Sequence, residues 1–203
     1  MSLDADIAAN LNAVRARIDA AARRAGRDPG EITLIAVSKT FGADSVRAAW
    51  AAGQQDFGEN KVQEALQKIS STSDIPVRWH LIGHLQSNKA RKAAAPFAGI
   101  HSIDSVDLLQ RIDTAAAEAG ATPDILVQVD LAGEESKFGA PADEARRIVD
   151  AALACQAVRL SGLMLLPPWS EDPEAARPWF VRLRELRDQW IAGGVPRDAL
   201  RQG

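Results

Sequence analysis

Lys39, Asn60 and His80 carry the side chains of this sequence best suited to carbonyl chemistry, and each stands at or near the end of a short apolar run. Lys39 closes the run Ile32-Thr33-Leu34-Ile35-Ala36-Val37-Ser38. An ammonium that loses water is driven towards the neutral amine, a nucleophile for carbonyl carbon. An amide and an imidazole beside it would bind and orient such a compound. Each residue has a plainer reading as well. Lys39 could start a loop and point to water, Asn60 could cap the next helix, and His80 could be a hydrogen-bonded interior histidine.

The elements that must position these side chains follow a steady cadence. The run 32–38 is apolar and rich in β-branched residues, so it reads as a strand buried on both faces. Strands are expected to begin near 32, 56, 78, 99, 124 and 158, each followed by a helix. Apolar residues at helical spacing mark those helices: Ile7, Leu11, Val14 and Ile18; Val46 and Trp50; Val62, Leu66 and Ile69; Leu108, Leu109 and Ile112; Phe180, Leu183 and Leu186. Glycines at 26, 53, 120 and 193 stop four of them. Ser87 and Ser105 are read as helix caps.

Repeated βα units without self-similar sequence leave two architectures, a (β/α)8 barrel or an open doubly wound sheet. No Gly-x-Gly-x-x-Gly follows the first strand, and the even spacing favours the barrel. On a barrel the carboxyl strand ends gather at one mouth, where ligands bind. Glu59, His84, Ser102, Asp104, Gln128, Asp130 and Met164 join the three residues above at such ends.

Composition narrows the function. The chain has 203 residues, expected to form a single domain over 1–203, with 24 basic and 27 acidic side chains and a net charge of −3. That balance makes no case for nucleic acid or an anionic membrane. Cys155 is the one cysteine, which excludes an intrachain disulfide and a thiolate metal cluster. His80 and His84 lack the companion ligands of a metal motif, so no metal is expected. No signal peptide is read at the start, and no apolar run approaches the ~20 residues of a membrane span. The segment Glu134-Glu135-Ser136-Lys137-Phe138-Gly139 reads as an exposed turn or a lid. The sequence contains no tyrosine.

Six segments in this order carry a resemblance: Val37-Ser38-Lys39-Thr40; Phe57-Gly58-Glu59-Asn60-Lys61-Val62-Gln63-Glu64; Trp79-His80-Leu81-Ile82-Gly83-His84-Leu85-Gln86-Ser87-Asn88-Lys89; His101-Ser102-Ile103-Asp104-Ser105; Glu134 to Gly139; and Gly162-Leu163-Met164. Together they resemble the pyridoxal phosphate homeostasis protein family, whose fold is like the barrel of alanine racemase. The resemblance implies that Lys39 forms a Schiff base with the aldehyde of pyridoxal 5′-phosphate, and that Asn60, His80 and Met164 line the cofactor ring. It further implies a cytoplasmic, monomeric protein without a defined turnover. Such a protein buffers the cofactor and acts in vitamin B6 homeostasis, with PLP-dependent apo-enzymes as partners.

Family members continue with a Ser-Met-Gly-Met-Ser-like strand seven and a Val-Arg-x-Gly-like strand eight. This sequence ends at Arg201-Gln202-Gly203 without either. The expectation is therefore a C-terminally shortened barrel with open edges on strands one and six. It would lack the loops where barrels commonly hold phosphate. Two alternatives stand beside the binding protein: a racemase-like enzyme, and a shortened form with weak cofactor binding. Racemases of this barrel place a tyrosine opposite the lysine, and none is present here.

Overall fold

The computed structural model describes residues 3–133 and 138–202. Residues 134–137, most of the segment read as a turn or lid, lie outside the described residues. The chain forms two compact units, Met1–His80 and Leu81–Gly203.

The first unit runs α1 (Leu3–Arg24), β1 (Ile35–Val37), α2 (Ala43–Ala51), β2 (Asp56–Glu59), α3 (Val62–Ser71) and β3 (Arg78–Leu81), the last crossing its border. β1 and β2 pair in parallel, Ile35 opposite Asp56 and Val37 opposite Gly58. Parallel neighbours cannot be joined by a tight turn, so α2 makes the crossover. Behind the sheet, Phe57 and Trp79 are buried with ring centroids 5.7 Å apart. Arg15 of α1 donates to the Ala52 carbonyl at 2.8 Å, tying α1 to the end of α2.

Three expectations for this unit need correction. β1 covers three residues and is not buried on both faces: Ile35 and Ala36 are half-buried, and Val37 is 47% exposed. The α1 stripe is only partly covered, with Val14 39% exposed. The physical reason is a groove of about 430 Å³ beside α1, β1 and α2, lined by Leu11, Val14, Val37 and Phe41 among others. In α2, Val46 is buried but Trp50 is 37% exposed.

The second unit runs α4 (Ala90–Ala93), β4 (Gly99–Ile103), α5 (Val106–Ala119), β5 (Asp124–Gln128), α6 (Ala142–Ala152), β6 (Arg159–Met164) and α7 (Arg177–Ala192). β4, β5 and β6 are parallel neighbours in chain order. Ser105 caps α5 by accepting from the Leu108 N–H at 3.2 Å, and Gly120 ends it in the left-handed region at φ 64°. Leu108, Leu109 and Ile112 are fully buried beneath it. Ser87 caps nothing: it opens a 3-10 turn, Ser87–Lys89, that leads into α4. Phe180 of α7 is 50% exposed, and Leu183 and Trp190 carry the packing instead.

The strand starts expected from the sequence meet the observed ones within three residues. The two that moved are β1, at Ile35, and β6, at Arg159. Beyond β6, Gln202 forms a parallel bridge to Gly162, donating to the Ser161 carbonyl and accepting from the Leu163 N–H, both at 2.9 Å.

Candidate functional site

Lys39 lies two residues beyond the end of β1 and is exposed, in a tight turn. The Phe41 N–H donates to the Ser38 carbonyl at 3.1 Å, which closes the turn 38–41 around Lys39 and Thr40. Thr40 has φ 69°, the one non-glycine residue with positive φ among the described residues. The third position of such a turn usually takes glycine or asparagine, and a β-branched side chain there is strained. Backbone strain of this kind persists only where surrounding bonds hold it.

Those bonds lie on the far side of the sheet. Ser38 is 6% exposed, and its hydroxyl donates to Glu59 Oε1 at 2.6 Å. Lys68 Nζ, from α3, donates to the same Glu59 oxygen at 2.5 Å and to the Ser38 carbonyl at 2.6 Å. Glu59 is fully buried and the Lys68 side chain is 12% exposed. Glu59 Oε2 has no hydrogen-bond partner. The Ser38 carbonyl therefore serves two donors, the turn N–H and the α3 ammonium.

Pleating puts successive side chains on opposite faces of a strand. Ser38 and Glu59 share the helix-covered face, where both meet Lys68 of α3. The observed register ends with Val37 opposite Gly58, the Ser38 N–H donating to the Gly58 carbonyl at 3.0 Å, and Lys39 and Asn60 lie just beyond these strand ends. Asn60 does not cap α3: Lys61 holds the cap position, and no side chain caps that end.

His80 is anchored lower on the sheet. Its Nε2 lies 2.9 Å from Asp56 Oδ1, at the start of β2. Arg78 grips the same carboxylate through two nitrogens, Nε at 2.7 Å and Nη2 at 2.5 Å. Burial would push the Asp56 carboxyl up, but the bonds from Arg78 and then His80 outweigh it and hold it below the ordinary carboxylate value.

Met164 belongs to the second unit. It ends β6, half-buried, paired with Gln128, and its carbonyl accepts from the Val129 N–H at 2.9 Å. In the same unit His84 Nδ1 lies 3.3 Å from Asp104 Oδ2, and the His84 ring stacks on Phe138 with centroids 3.6 Å apart. Burial pushes the Asp104 carboxyl up, against the opposing charge of His84.

Lys39, Asn60 and His80 thus fall in one unit, Lys39 and Asn60 each just beyond the end of its strand. The residue the sequence reading passed over is Lys68. Its signal was present: Val62, Ala65, Lys68 and Thr72 share the inward stripe of α3, and a lysine there asks for a buried partner. Leu66 and Ile69, read as inward, are only half-buried.

Lys39 is exposed, so the loss of water expected for its amine is not seen, and what the structure gives is a parallel βα fold with a lysine just beyond its first strand. The family described as alanine racemase, N-terminal domain, matches residues 9–200. The solved alanine racemase of Streptomyces coelicolor, 24% identical with a TM-score of 0.68, covers 92% of this chain and 50% of its own, and shows the fold alone. The fold is accordingly α/β of the alanine racemase (β/α)8 barrel type, with six of its parallel strands in the described residues.

Within that class the relatives are specific. The pyridoxal phosphate homeostasis protein of Pseudomonas aeruginosa is 44% identical over 181 residues, 89% of this chain and 78% of the relative. Its Escherichia coli counterpart is 42% identical over 192 residues, 91% of this chain and 82% of the relative. PipY of Synechococcus elongatus, solved with PLP bound, is 36% identical with a TM-score of 0.79, covering 96% of this chain and 85% of its own. This chain belongs to the pyridoxal phosphate homeostasis protein family.

Proposed function

We propose that the chain binds pyridoxal 5′-phosphate through Lys39 and acts in vitamin B6 homeostasis. The observation that carries this reading is an exposed lysine two residues beyond the end of β1, on a turn anchored from behind. An aldehyde group fits such an amine. Lys39 would hold the cofactor through its amine, and the cofactor would supply the aldehyde with which that amine condenses, releasing water. The bound cofactor in PipY and the names of the relatives support the same reading.

Asn60 and His80, the imidazole of the latter fixed by Asp56, would line the cofactor ring. The whole of 1–203 works as one cofactor-binding domain, a cytoplasmic monomer that passes the cofactor to PLP-dependent apo-enzymes. Among the described residues no helix is long and apolar enough to cross a membrane.

The test is chemical trapping. The protein is mixed with pyridoxal phosphate, reduced with borohydride, digested and mapped by mass spectrometry. The pyridoxyl group should sit on Lys39 and be lost in Lys39→Ala. Labelling spread evenly over the surface lysines would reject the site.

A further inference from the structure

We infer that the buried Glu59–Lys68 pair is a positioning device for Lys39, holding the strained turn that presents its amine. The inference deepens the reading of Lys39 as the cofactor lysine and rests on it.

Both bonds converge on Ser38, the residue immediately before Lys39. Glu59 takes the Ser38 hydroxyl, and Lys68 bonds both the Glu59 carboxylate and the Ser38 carbonyl. That carbonyl is also the acceptor that closes the turn over Lys39 and Thr40. The clamp therefore acts on the peptide that sets where Lys39 leaves the strand. Thr40, at φ 69°, would relax to negative φ if the turn were free. Relaxation would swing the peptide between residues 39 and 40, and with it the Lys39 stem.

The chemistry of the pair fits a holding role better than a surface bridge. A carboxylate with no exposed surface and one oxygen left without a partner is a costly group to keep. Two bonds, from the Ser38 hydroxyl and the Lys68 ammonium, are what it secures in return. Lys68 and Glu59 stand on the helix-covered face and do not touch the amine they position. Their effect on Lys39 is through the backbone.

The experiment compares the wild-type chain with Lys68→Met, Lys68→Arg and Thr40→Gly, each checked for folding by far-ultraviolet circular dichroism. Two readouts are taken. One is acetylation of Lys39 by limiting acetic anhydride in the cofactor-free protein, measured against Lys61 as internal standard over pH 7–10. The other is the rate of pyridoxal phosphate trapping at Lys39, with the visible circular dichroism of the bound chromophore. Lys68→Met should cut the trapping rate at least tenfold, weaken the dichroic band and shift the Lys39 acetylation profile. Lys68→Arg, whose guanidinium can still reach both oxygens, should restore most of each.

Lys68→Met leaves a bare buried carboxylate and is paired with Glu59→Gln if it does not fold; the double variant should show the same losses. Ser38→Ala removes one arm only and should give a smaller loss. In Thr40→Gly, where the turn is unstrained, adding Lys68→Met should cost less than it does alone. Folded Lys68→Met or double variants with unchanged trapping, dichroism and acetylation would overturn the inference while leaving Lys39 as the site. Absence of Lys39 trapping in the wild-type chain would instead overturn the reading beneath it.

Discussion

His80 Nε2 stands 2.9 Å from Asp56 Oδ1, on a carboxylate that Arg78 already holds with two nitrogens. One buried aspartate at the start of β2 thereby fixes two side chains of β3. Its folded value lies below the ordinary 3.8. A carboxyl depressed on folding stabilises the fold above its unfolded value, and that contribution fades as pH falls through the folded value. Asp56→Asn should cost about 1–3 kcal/mol at pH 7. Urea melts should show the gap to the wild-type chain constant above about pH 5 and shrinking below about pH 4. A gap that did not change between pH 7 and pH 3 would place the pairing energy elsewhere.

Cys155 should be a poor nucleophile in the folded chain. Burial first, and then the charge and hydrogen bonding of Asp113, push its thiol up to about 11. At pH 8 only about a thousandth of such a thiol is ionised. Iodoacetamide should therefore modify it slowly. The rate should climb nearly tenfold per pH unit up to about pH 10 and jump in urea. Rapid labelling of the folded chain at pH 8 would contradict this.

Asp113 itself serves the backbone. Its Oδ1 accepts from the N–H groups of Gln156, Ala157 and Val158, at 3.2, 2.7 and 3.1 Å, on the approach to β6. Asp113→Ala leaves those donors without that partner and should cost about 1–3 kcal/mol by urea denaturation, with an unchanged slope. Asp113→Asn keeps an acceptor and should cost less. Both variants should speed alkylation of Cys155, since they remove the charge that discourages its thiolate. An Asp113→Ala chain as stable as the wild type would show that water replaces the carboxylate at no cost.

The sequence was most informative where physics is local. Apolar runs ended by glycine announced the βα cadence, and Ser105 and Gly120 bounded α5 as their types suggest. It was least informative where the answer lay in tertiary neighbours. The run 32–38 has the composition of a doubly covered strand, yet cover depends on what packs against β1, and Val37 lies open beside the apolar groove. Trp50 and Phe180 fit their helical stripes and are still exposed, because periodicity names a face without saying how far its cover extends. Threonine gives no hint of the left-handed conformation found at position 40. Lys39 and Asn60 could be placed at strand ends from spacing alone. The clamp beneath them joins residues 38, 59 and 68 from three elements, and no short motif spells it.

Gly162 should be the glycine of β6 that tolerates no side chain. A Cβ there would meet the Gln202 carbonyl oxygen at 1.9 Å, and that oxygen accepts from the Leu163 N–H. Backbone atoms cannot swing aside as a flexible side chain does, so Gly162→Ala must push residue 202 off the edge of β6. Val195, Ala199 and Leu200, buried just before it, are disturbed with it. Overpacking of this kind costs about 1–3 kcal/mol. Gly42→Ala is the control: it has an ordinary φ of −79° and open space around it, and should change stability by less than about 0.5 kcal/mol. Hydrogen exchange reads the difference at one amide. The Leu163 N–H, protected by Gln202 in the wild-type chain, should exchange much faster in Gly162→Ala, and trypsin should cut sooner at Arg201. Unchanged protection of Leu163 in that variant would mean that Gln202 is not what covers the outer edge of β6.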